Sequence, residues 1–511
     1  MAHWLDTAVF YEIYPQSFRD SNADGMGDIN GIIEKLDYVK ELGCDAIWLN
    51  PLFESPFGDA GYDVSDYYTV APRYGTNDDL ARLFREVHSR GMKILLDLVP
   101  GHTSVKHKWF TESMKAEKNE YTDRYVWTGS IWEKPGMSCI LGFSPRNGVC
   151  AVNFFSHQPA LNYGFYKPER PWQQPMDAEG PRATLEAMKD VMRFWLGMGC
   201  DGFRVDMAGS LVKNDEDGKG NIALWQNVRA FLDAEYPEAV LVSEWGEPDK
   251  SLLGGFHMDF LLHFGPSHYP ELFRTDKPYF SAKADGDISE FVNKYKENYA
   301  KTDGKGLICI PSGNHDMNRM ALTLDETEMK LAFAFLLSMP GAPFIYYGDE
   351  IGMRYVKGLT SVEGGYGRTG SRSPMQWNSG INAGFGNSAP DKLYIPLDPD
   401  PNRPTVEKSI ADENSLYHEV KKLISLRKAH PALESKGKID FICAEKNAYP
   451  LAYTREADGE KILAVINPSA RPAEFECGLI AKEVLYSFGG KAEADGKKIR
   501  IPAQSAVFMK I

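Results

Sequence analysis

Apolar runs and amphipathic stretches alternate along most of this chain. VFYEIYP (9–15) reads as a strand, and GIIEKLDYVKELG (31–43) follows with Ile32, Leu36, Val39 and Leu42 on one helical face. DAIWLNP (45–51) is the next strand, DDLARLFREVHSRG (78–91) a helix closed by Gly91, and ILLDLVP (94–100) a third strand. The alternation then stops. From His102 to Met176, Gly, Pro and aromatic residues follow one another with little period, too long for an ordinary loop, and this predicts an inserted subdomain. It resumes with the helix TLEAMKDVMRFWLGMG (184–199) and the strands GFRVDM (202–207), VLVSEW (240–245), MDFLLHF (258–264), LICIPSGN (307–314) and PFIYYGDE (343–350). Eight strands separated by helical segments, the early ones continuous apolar runs, predict a (β/α)8 TIM barrel of the α/β class. SLYHEVKKLISLRKAH (415–430), stopped by Pro431, is the last barrel helix. Beyond it YPLAYTRE, KILAVINP, KEVLYSFG and SAVFMKI alternate at strand period around turn residues, which predicts a small antiparallel β-sandwich. The expected division is a barrel from 1–101 and 177–434, an inserted domain at 102–176, and a C-terminal β domain at 435–511.

Composition narrows the function classes. A formal net charge of −14 argues against a nucleic-acid partner. The run LAFAFLLSMPGAPFIYYG (331–348) approaches the length of a membrane span, but Pro340-Gly341-Ala342-Pro343 cuts it, so it reads as a buried helix followed by a strand. MAHWLDTAVFYEIYP has no basic region leading into an apolar stretch, and the expectation is a soluble, cytoplasmic protein without membrane association. Seven cysteines scattered from Cys44 to Cys477 predict free thiols, with Cys139–Cys150 as the one candidate pair. Oligomeric state is not legible.

The chemistry sits at strand ends. Asp206, Glu244 and Asp316 each close a barrel strand at the edge where such barrels place their active sites. Carboxylates gathered there repel and desolvate one another, which raises at least one pKa and points to a carboxylate-based hydrolase. Retaining glycoside hydrolysis needs a nucleophilic carboxylate and a proton-donating carboxylic acid. Arg204 lies two residues before Asp206, on the same strand face, and is expected to keep it ionised as the nucleophile. Glu244 beside Trp245 suits the acid. His102 and His315 are neutral donors at strand ends, and Asp97, earlier on the strand that leads to His102, supports the site. Arg319 lines the leaving-group side or faces solvent. Asp20, Asn22, Asp24 and Asp28 alternate oxygen side chains around Gly25, which with the Met26 carbonyl fits a hard cation such as a structural Ca²⁺.

DLVPGH, GFRVDMAGS, SEWGEP and SGNHD together resemble the four conserved segments of the α-amylase superfamily (glycoside hydrolase family 13), in its α-glucosidase and oligo-1,6-glucosidase-like branch. The resemblance spans essentially the whole chain. It implies Asp206 as nucleophile, Glu244 as acid/base and Asp316 as the residue that distorts the sugar, with His102, Arg204 and His315 binding that sugar. QPALN (158–162) is similar to the family's QPDLN, with Ala160 in place of the carboxylate. Gly101 stands where the family has an Asn that ligates an interdomain calcium, so that calcium is not expected, whereas loops like 20–28 bind a structural Ca²⁺ in this branch. FGDAGYDVSDY (57–67) resembles the loop of exo-acting relatives, implying that Tyr62 stacks under the sugar and that Asp59 pairs with Arg372 of RSPMQW (372–377) to hold the non-reducing end. Ala208-Gly209 resembles α-1,4-glucosidases. The expected activity is a retaining exo-acting α-glucosidase releasing glucose from maltose and malto-oligosaccharides. The alternatives are a transglycosidase such as a trehalose synthase, which LYIPLDPDPNRPTVE (393–407) encourages, or an oligo-1,6-glucosidase.

Overall fold

The computed structural model describes residues 3–140, 144–302, 304–495 and 497–511. Its centre is a sheet of eight strands: β1 Phe10–Ile13, β2 Ala46–Leu49, β3 Lys93–Leu98, β4 Gly202–Val205, β5 Val240–Ser243, β6 Met258–Phe260, β7 Leu307–Cys309 and β8 Phe344–Tyr346. Their order is β7-β6-β5-β4-β3-β2-β1-β8, and every neighbouring pair is parallel. The ring closes just past β7, where Pro311 bridges Phe344 and the Ser312 N–H donates to the Phe344 carbonyl at 2.8 Å. The strands read as unbroken apolar runs because helices cover the outside and side chains fill the middle. Phe10, Trp48, Phe260 and Phe344 pack there with ring centroids 4.3–6.2 Å apart. β4 starts on Gly202 at φ +144°, where an added Cβ would lie 2.0 Å from the Val240 carbonyl oxygen. Only glycine fits that seam.

The helix predicted at 31–43 is two, α1 Ile29–Glu34 and α2 Leu36–Leu42, because Lys35 leaves helical geometry (φ −113°, ψ 6°). Its expected apolar face is buried all the same. The helices that follow are α3 Asn77–Ser89, α4 Glu179–Met198, α5 Lys219–Glu235, α6 Pro248–Ser251, α7 Ser289–Thr302, α8 Glu326–Ser338 and α9 Leu416–Ala429. Capping boxes start α3 (Thr76 with Asp79) and α8 (Asp325 with Glu328). The long apolar run at 331–348 is most of α8 followed by β8, as its prolines foretold. Among the described residues no helix is long and apolar enough to cross a membrane.

The insertion falls between β3 and α4. It carries a short helix at Lys108–Ser113, a hairpin of Cys139–Ile140 with Cys150–Ala151, and its own small core of Val126, Ala151, Ala160 and Phe165. All seven cysteines are free; Cys139 faces Ala151 in the hairpin, not Cys150. The C-terminal region is antiparallel. Its strands are β9 Lys438–Cys443, β10 Leu451–Ala457, β11 Glu460–Asn467, β12 Ala473–Glu476, β13 Glu483–Phe488, β14 Glu493–Asp495, β15 Lys498–Ile501 and β16 Ser505–Lys510. They form one sheet ordered β9-β10-β11-β16-β13 and a second ordered β12-β15-β14. Period-two alternation splits the first sheet's burden: Tyr453 meets Phe335 of α8, while Ala452, Leu463 and Val465 pack with Ile499 and Ile501 of the second sheet.

Candidate active site

Strand ends and the loops behind them bring the predicted acids into one place. Asp206, Glu244, Asp316 and Asp59 line a single cavity of about 730 Å3, with Tyr62 and His102. Arg204 stands behind it, 1 % exposed, and its guanidinium joins three carboxylates. Nη1 lies 3.0 Å from Asp97 and 3.1 Å from Asp206, and Nη2 lies 2.7 Å from Glu244. Glu244 also accepts the Met207 N–H at 3.1 Å. The Asp206–Arg204 pair is therefore present, and Glu244 shares it.

Burial dominates the proton affinities. It pushes Asp206 up to about 7 even though Arg204 opposes it, and nearby Asp97 adds to the rise. It pushes Glu244 higher, to about 8, again against Arg204, with Asp206 and Asp316 contributing repulsion. The guanidinium expected to keep Asp206 ionised is divided among three buried carboxylates, and at Asp206 its attraction opposes the effect of burial. Asp316 behaves oppositely. Burial favours its neutral form, but His315, Arg372 and Arg368 outweigh that and hold its carboxyl well below the usual range.

Behind the cavity wall is a supporting network. Asp97 accepts hydrogen bonds from the Tyr62 hydroxyl (3.0 Å) and the Trp48 indole (3.1 Å) as well as from Arg204, which is the supporting role read for it. His315 is wholly buried, stacked on Tyr62 at 5.4 Å and 9°, with Nε2 2.8 Å from the Tyr62 hydroxyl and 3.4 Å from Asp316. Its Nδ1 faces both Glu12 and the Asn50 amide nitrogen at 2.9 Å, and burial pushes the Glu12 carboxyl well up. His315 thus orients Tyr62 and Asp316 from behind and does not line the cavity. His102 does line it; burial lowers it to about 3, so the ring is neutral, with Nε2 donating to the Tyr62 carbonyl at 3.1 Å.

One expected pair is replaced by another. Arg372 Nη2 binds Asp316 at 2.9 Å, and Nε donates to the His315 carbonyl. The ion pair of Asp59 is with Arg368, at 3.5 Å, and Arg368 Nη1 also reaches Asp316 at 2.7 Å. Asp59 accepts the Gln158 amide at 2.8 Å, and burial still lifts it to about 6. Two arginines four residues apart bracket this turn, and sequence alone does not say which reaches the cavity. Beside Trp245, already read as the neighbour of Glu244, the cavity has aromatic walls that sequence reading missed: Phe154, Phe155, Phe264 and Tyr366. The Phe154-Phe155 pair in an otherwise polar stretch was the available signal. Arg319 meets neither expectation. It is buried against Tyr346 and Tyr347 and paired with Asp349 at 3.0 Å.

Loop 20–28 closes on its own backbone. Asp20 accepts N–H groups of Ala23 (2.7 Å) and Gly25 (3.0 Å), Asn22 that of Asp24 (2.9 Å), Asp24 that of Met26 (2.9 Å), and Asp28 those of Ser21 (2.9 Å) and Gly31 (2.8 Å). Among the described residues no three of His, Cys, Asp and Glu gather tightly enough to hold a metal ion. The donor chemistry still suits a hard cation: an oxygen accepting one N–H keeps a lone pair, and burial followed by the charges of Asp24 and Asp28 raises the Asp20 carboxyl.

A buried guanidinium holding two carboxylates against each other, with a third acid and a stacked tyrosine in the same cavity, is equipped for acid-assisted displacement at an acetal carbon. Comparisons with known proteins agree. Residues 12–436 match the alpha amylase catalytic domain. The chain is 34% identical over 530 residues to the trehalose synthase/amylase TreS of Mycobacterium tuberculosis, covering 93% of this chain and 84% of the relative. It is 32% identical to the oligo-1,6-glucosidase of Parageobacillus thermoglucosidasius over 590 residues, 99% of both. Among solved structures, a mutant of MutB in complex with its substrate sucrose superposes over the full length of both chains, with a TM-score of 0.81 and 27% identity.

Proposed function

This chain belongs to the α-amylase family of glycoside hydrolases and transglycosidases, and from that premise we propose that it is a retaining enzyme that removes one α-glucosyl unit from the non-reducing end of a short α-glucoside and passes it to a sugar acceptor. The observation that carries retention is the shared guanidinium. Asp206 and Glu244 are bound to the two terminal nitrogens of one guanidinium, Arg204, at 3.1 and 2.7 Å, which supports the short carboxyl separation of a retaining pair over the wider one of an inverting pair. In this reading Asp206 attacks the anomeric carbon while Glu244 protonates the departing oxygen. Glu244, now a carboxylate, then takes the proton of the incoming hydroxyl as the glucosyl–Asp206 bond breaks. Asp59, Arg368 and Asp316 form a chain of charges that would grip the hydroxyls of the terminal glucose and stop a longer chain from threading through.

Transfer ranks above plain α-1,4 hydrolysis for two reasons. Of the relatives named above, one is a trehalose synthase/amylase, whose name includes a transfer activity beside a hydrolytic one, and the other is an oligo-1,6-glucosidase; neither is named an α-1,4-glucosidase. The aromatic walls, Phe155, Trp245, Phe264 and Tyr366, give a second sugar a stacking surface beside the intermediate, where it competes with water. Incubation with maltose tests this. An isomeric disaccharide as the main product supports transfer, and glucose alone from maltose contradicts it. Faster cleavage of isomaltose than of maltose would favour the second reading, the oligo-1,6-glucosidase.

We also propose a structural Ca²⁺ on the oxygens of Asp20, Asn22, Asp24 and Asp28 and the Met26 carbonyl. Bound there it would offset two of the three negative charges of Asp20, Asp24 and Asp28 and stiffen the loop without touching the reaction. Chelation with EGTA should then lower Tm and added Ca²⁺ restore it; an unchanged Tm removes the ion from this account.

A further inference from the structure

The insertion encloses a second cavity, of about 220 Å3, that shares no lining residue with the catalytic one. Trp127 and Trp172 line it together with Asp123, Arg146, Asn162 and Gln174. Trp127 is 6 % exposed, and the indole N–H groups of both tryptophans are buried without any hydrogen-bond partner. Leaving one buried donor unpaired costs about 1–3 kcal/mol, and nearly all such groups in folded proteins are satisfied. Both belong to side chains in the walls of this one cavity.

The remaining walls are already fixed in place. Asn162 donates to the Gln174 amide oxygen at 3.2 Å and to the Asp123 carbonyl at 3.0 Å, which leaves the Gln174 amide nitrogen as a donor. Arg146 lies over the Trp127 ring at 4.8 Å, anchored to the Ser113 carbonyl at 3.1 Å and to the Thr122 carbonyl. The charges decide the ligand's sign. Asp123 would repel an anion and Arg146 a cation, so a neutral molecule fits. Aromatic faces beside a mixed set of rigid donors and acceptors match a hexopyranose, whose ring offers an apolar C–H face and hydroxyls that both donate and accept. The volume is below the roughly 300–1,000 Å3 of ordinary ligand pockets, which limits the occupant to one ring. Three residues past Gly129 of the same wall, Trp132 is 88 % exposed, a platform for a further unit outside.

We propose that this cavity is a non-catalytic carbohydrate site that takes one neutral hexopyranose unit, its ring against Trp172 and its hydroxyls on Asp123, Arg146 and Gln174. The site does not depend on which glycoside is cleaved. It is nevertheless tied to the catalytic pocket, because Gln158 bonds to Asp59 and Asn162, four residues on, lines the second cavity.

The test uses the full chain carrying Asp206→Asn, so that nothing is turned over, with ¹⁵N-labelled tryptophan and with Trp127→Phe and Trp172→Phe to assign the two indole signals. Methyl α-D-glucopyranoside and maltotriose are titrated in. Both signals should shift saturably, and should still do so when Asp59→Ala has disabled the catalytic pocket. In the otherwise native chain, Gln174→Ala and Trp172→Ala should each weaken that binding at least tenfold while kcat/KM on an aryl α-glucoside stays within twofold. Tighter binding of maltotriose assigns the end of a glucan, and equal binding assigns a free hexose; either supports the site. Signals that never move, that move only when Asp59 is intact, or that answer equally to inorganic phosphate overturn it. Should Trp172→Ala fail to fold, Gln174→Ala and the indole shifts decide alone.

Discussion

Between Asp97, Asp206 and Glu244 lies one guanidinium, and three buried acids cannot all ionise around a single positive charge. The protons they keep set the working pH. Asp206 and Glu244 titrate as a coupled pair, both raised by burial, with Asp206 near about 7 and Glu244 near about 8. Below the lower value Asp206 is protonated and cannot attack; above the higher value Glu244 has lost the proton it must donate. The kcat/KM profile should therefore be a narrow bell with its maximum between about 7 and 8. An acid limb near 4 would show that Asp206 is ionised well below neutrality and that the guanidinium outweighs desolvation. At this scale the sequence was informative about identity and poor about energy. Arg204 and Asp206 two apart on a strand announce their pairing; nothing in the string announces that Glu244 will claim the same cation. The Arg368–Asp59 pair was hidden for a related reason, since both Arg368 and Arg372 are arginines in one turn and only the path of the backbone separates their roles.

Elements decide that path. Arg368 sits in the turn Tyr366–Ser371, entered through Tyr366 at φ +45°, a conformation no periodicity rule foresees. The barrel strands were legible because full burial leaves an apolar run with little else to confuse it. β12 and β15 were not, because AEFE and KIRI carry charge at every other position and expose it. The break between α1 and α2 left no mark either, as Lys35 is a good helix former. Gly202 offers a direct test of how an element is joined to its neighbour. Gly202→Ala places a Cβ 2.0 Å from the Val240 carbonyl oxygen on a backbone at φ +144°. The backbone conformation alone costs roughly 1–3 kcal/mol, and the clash pushes β4 from β5, the two strands that carry Asp206 and Glu244. Denaturant unfolding should show at least that loss, with activity falling further than stability. Unaltered stability would mean that the seam yields freely.

At the scale of the whole molecule, we propose that the barrel (1–101 and 177–434), the insertion (102–176) and the C-terminal domain (435–511) behave as three units of which the first and last unfold together. Two buried arginines support this. Arg427 of α9 donates to the carbonyls of Leu337, Met339 and Gly341 at 3.0, 2.8 and 2.5 Å, and Arg455 of β10 donates to that of Ser338, so barrel and C-terminal domain jointly cap the end of α8. Arg427→Met leaves those carbonyls unsatisfied and should cost at least about 3 kcal/mol, lowering one common unfolding transition; two separated transitions would contradict the joint cap. What the fold accomplishes at this scale is the meeting of Asp206, Glu244 and Asp316 from three strands. That meeting is tested most directly by trapping the intermediate with 5-fluoro-α-D-glucopyranosyl fluoride and sequencing the labelled peptide by mass spectrometry. The account predicts one fluoroglucosyl group, on Asp206, released faster when a sugar acceptor is added. A label on another residue, or none while the enzyme turns over, would contradict it.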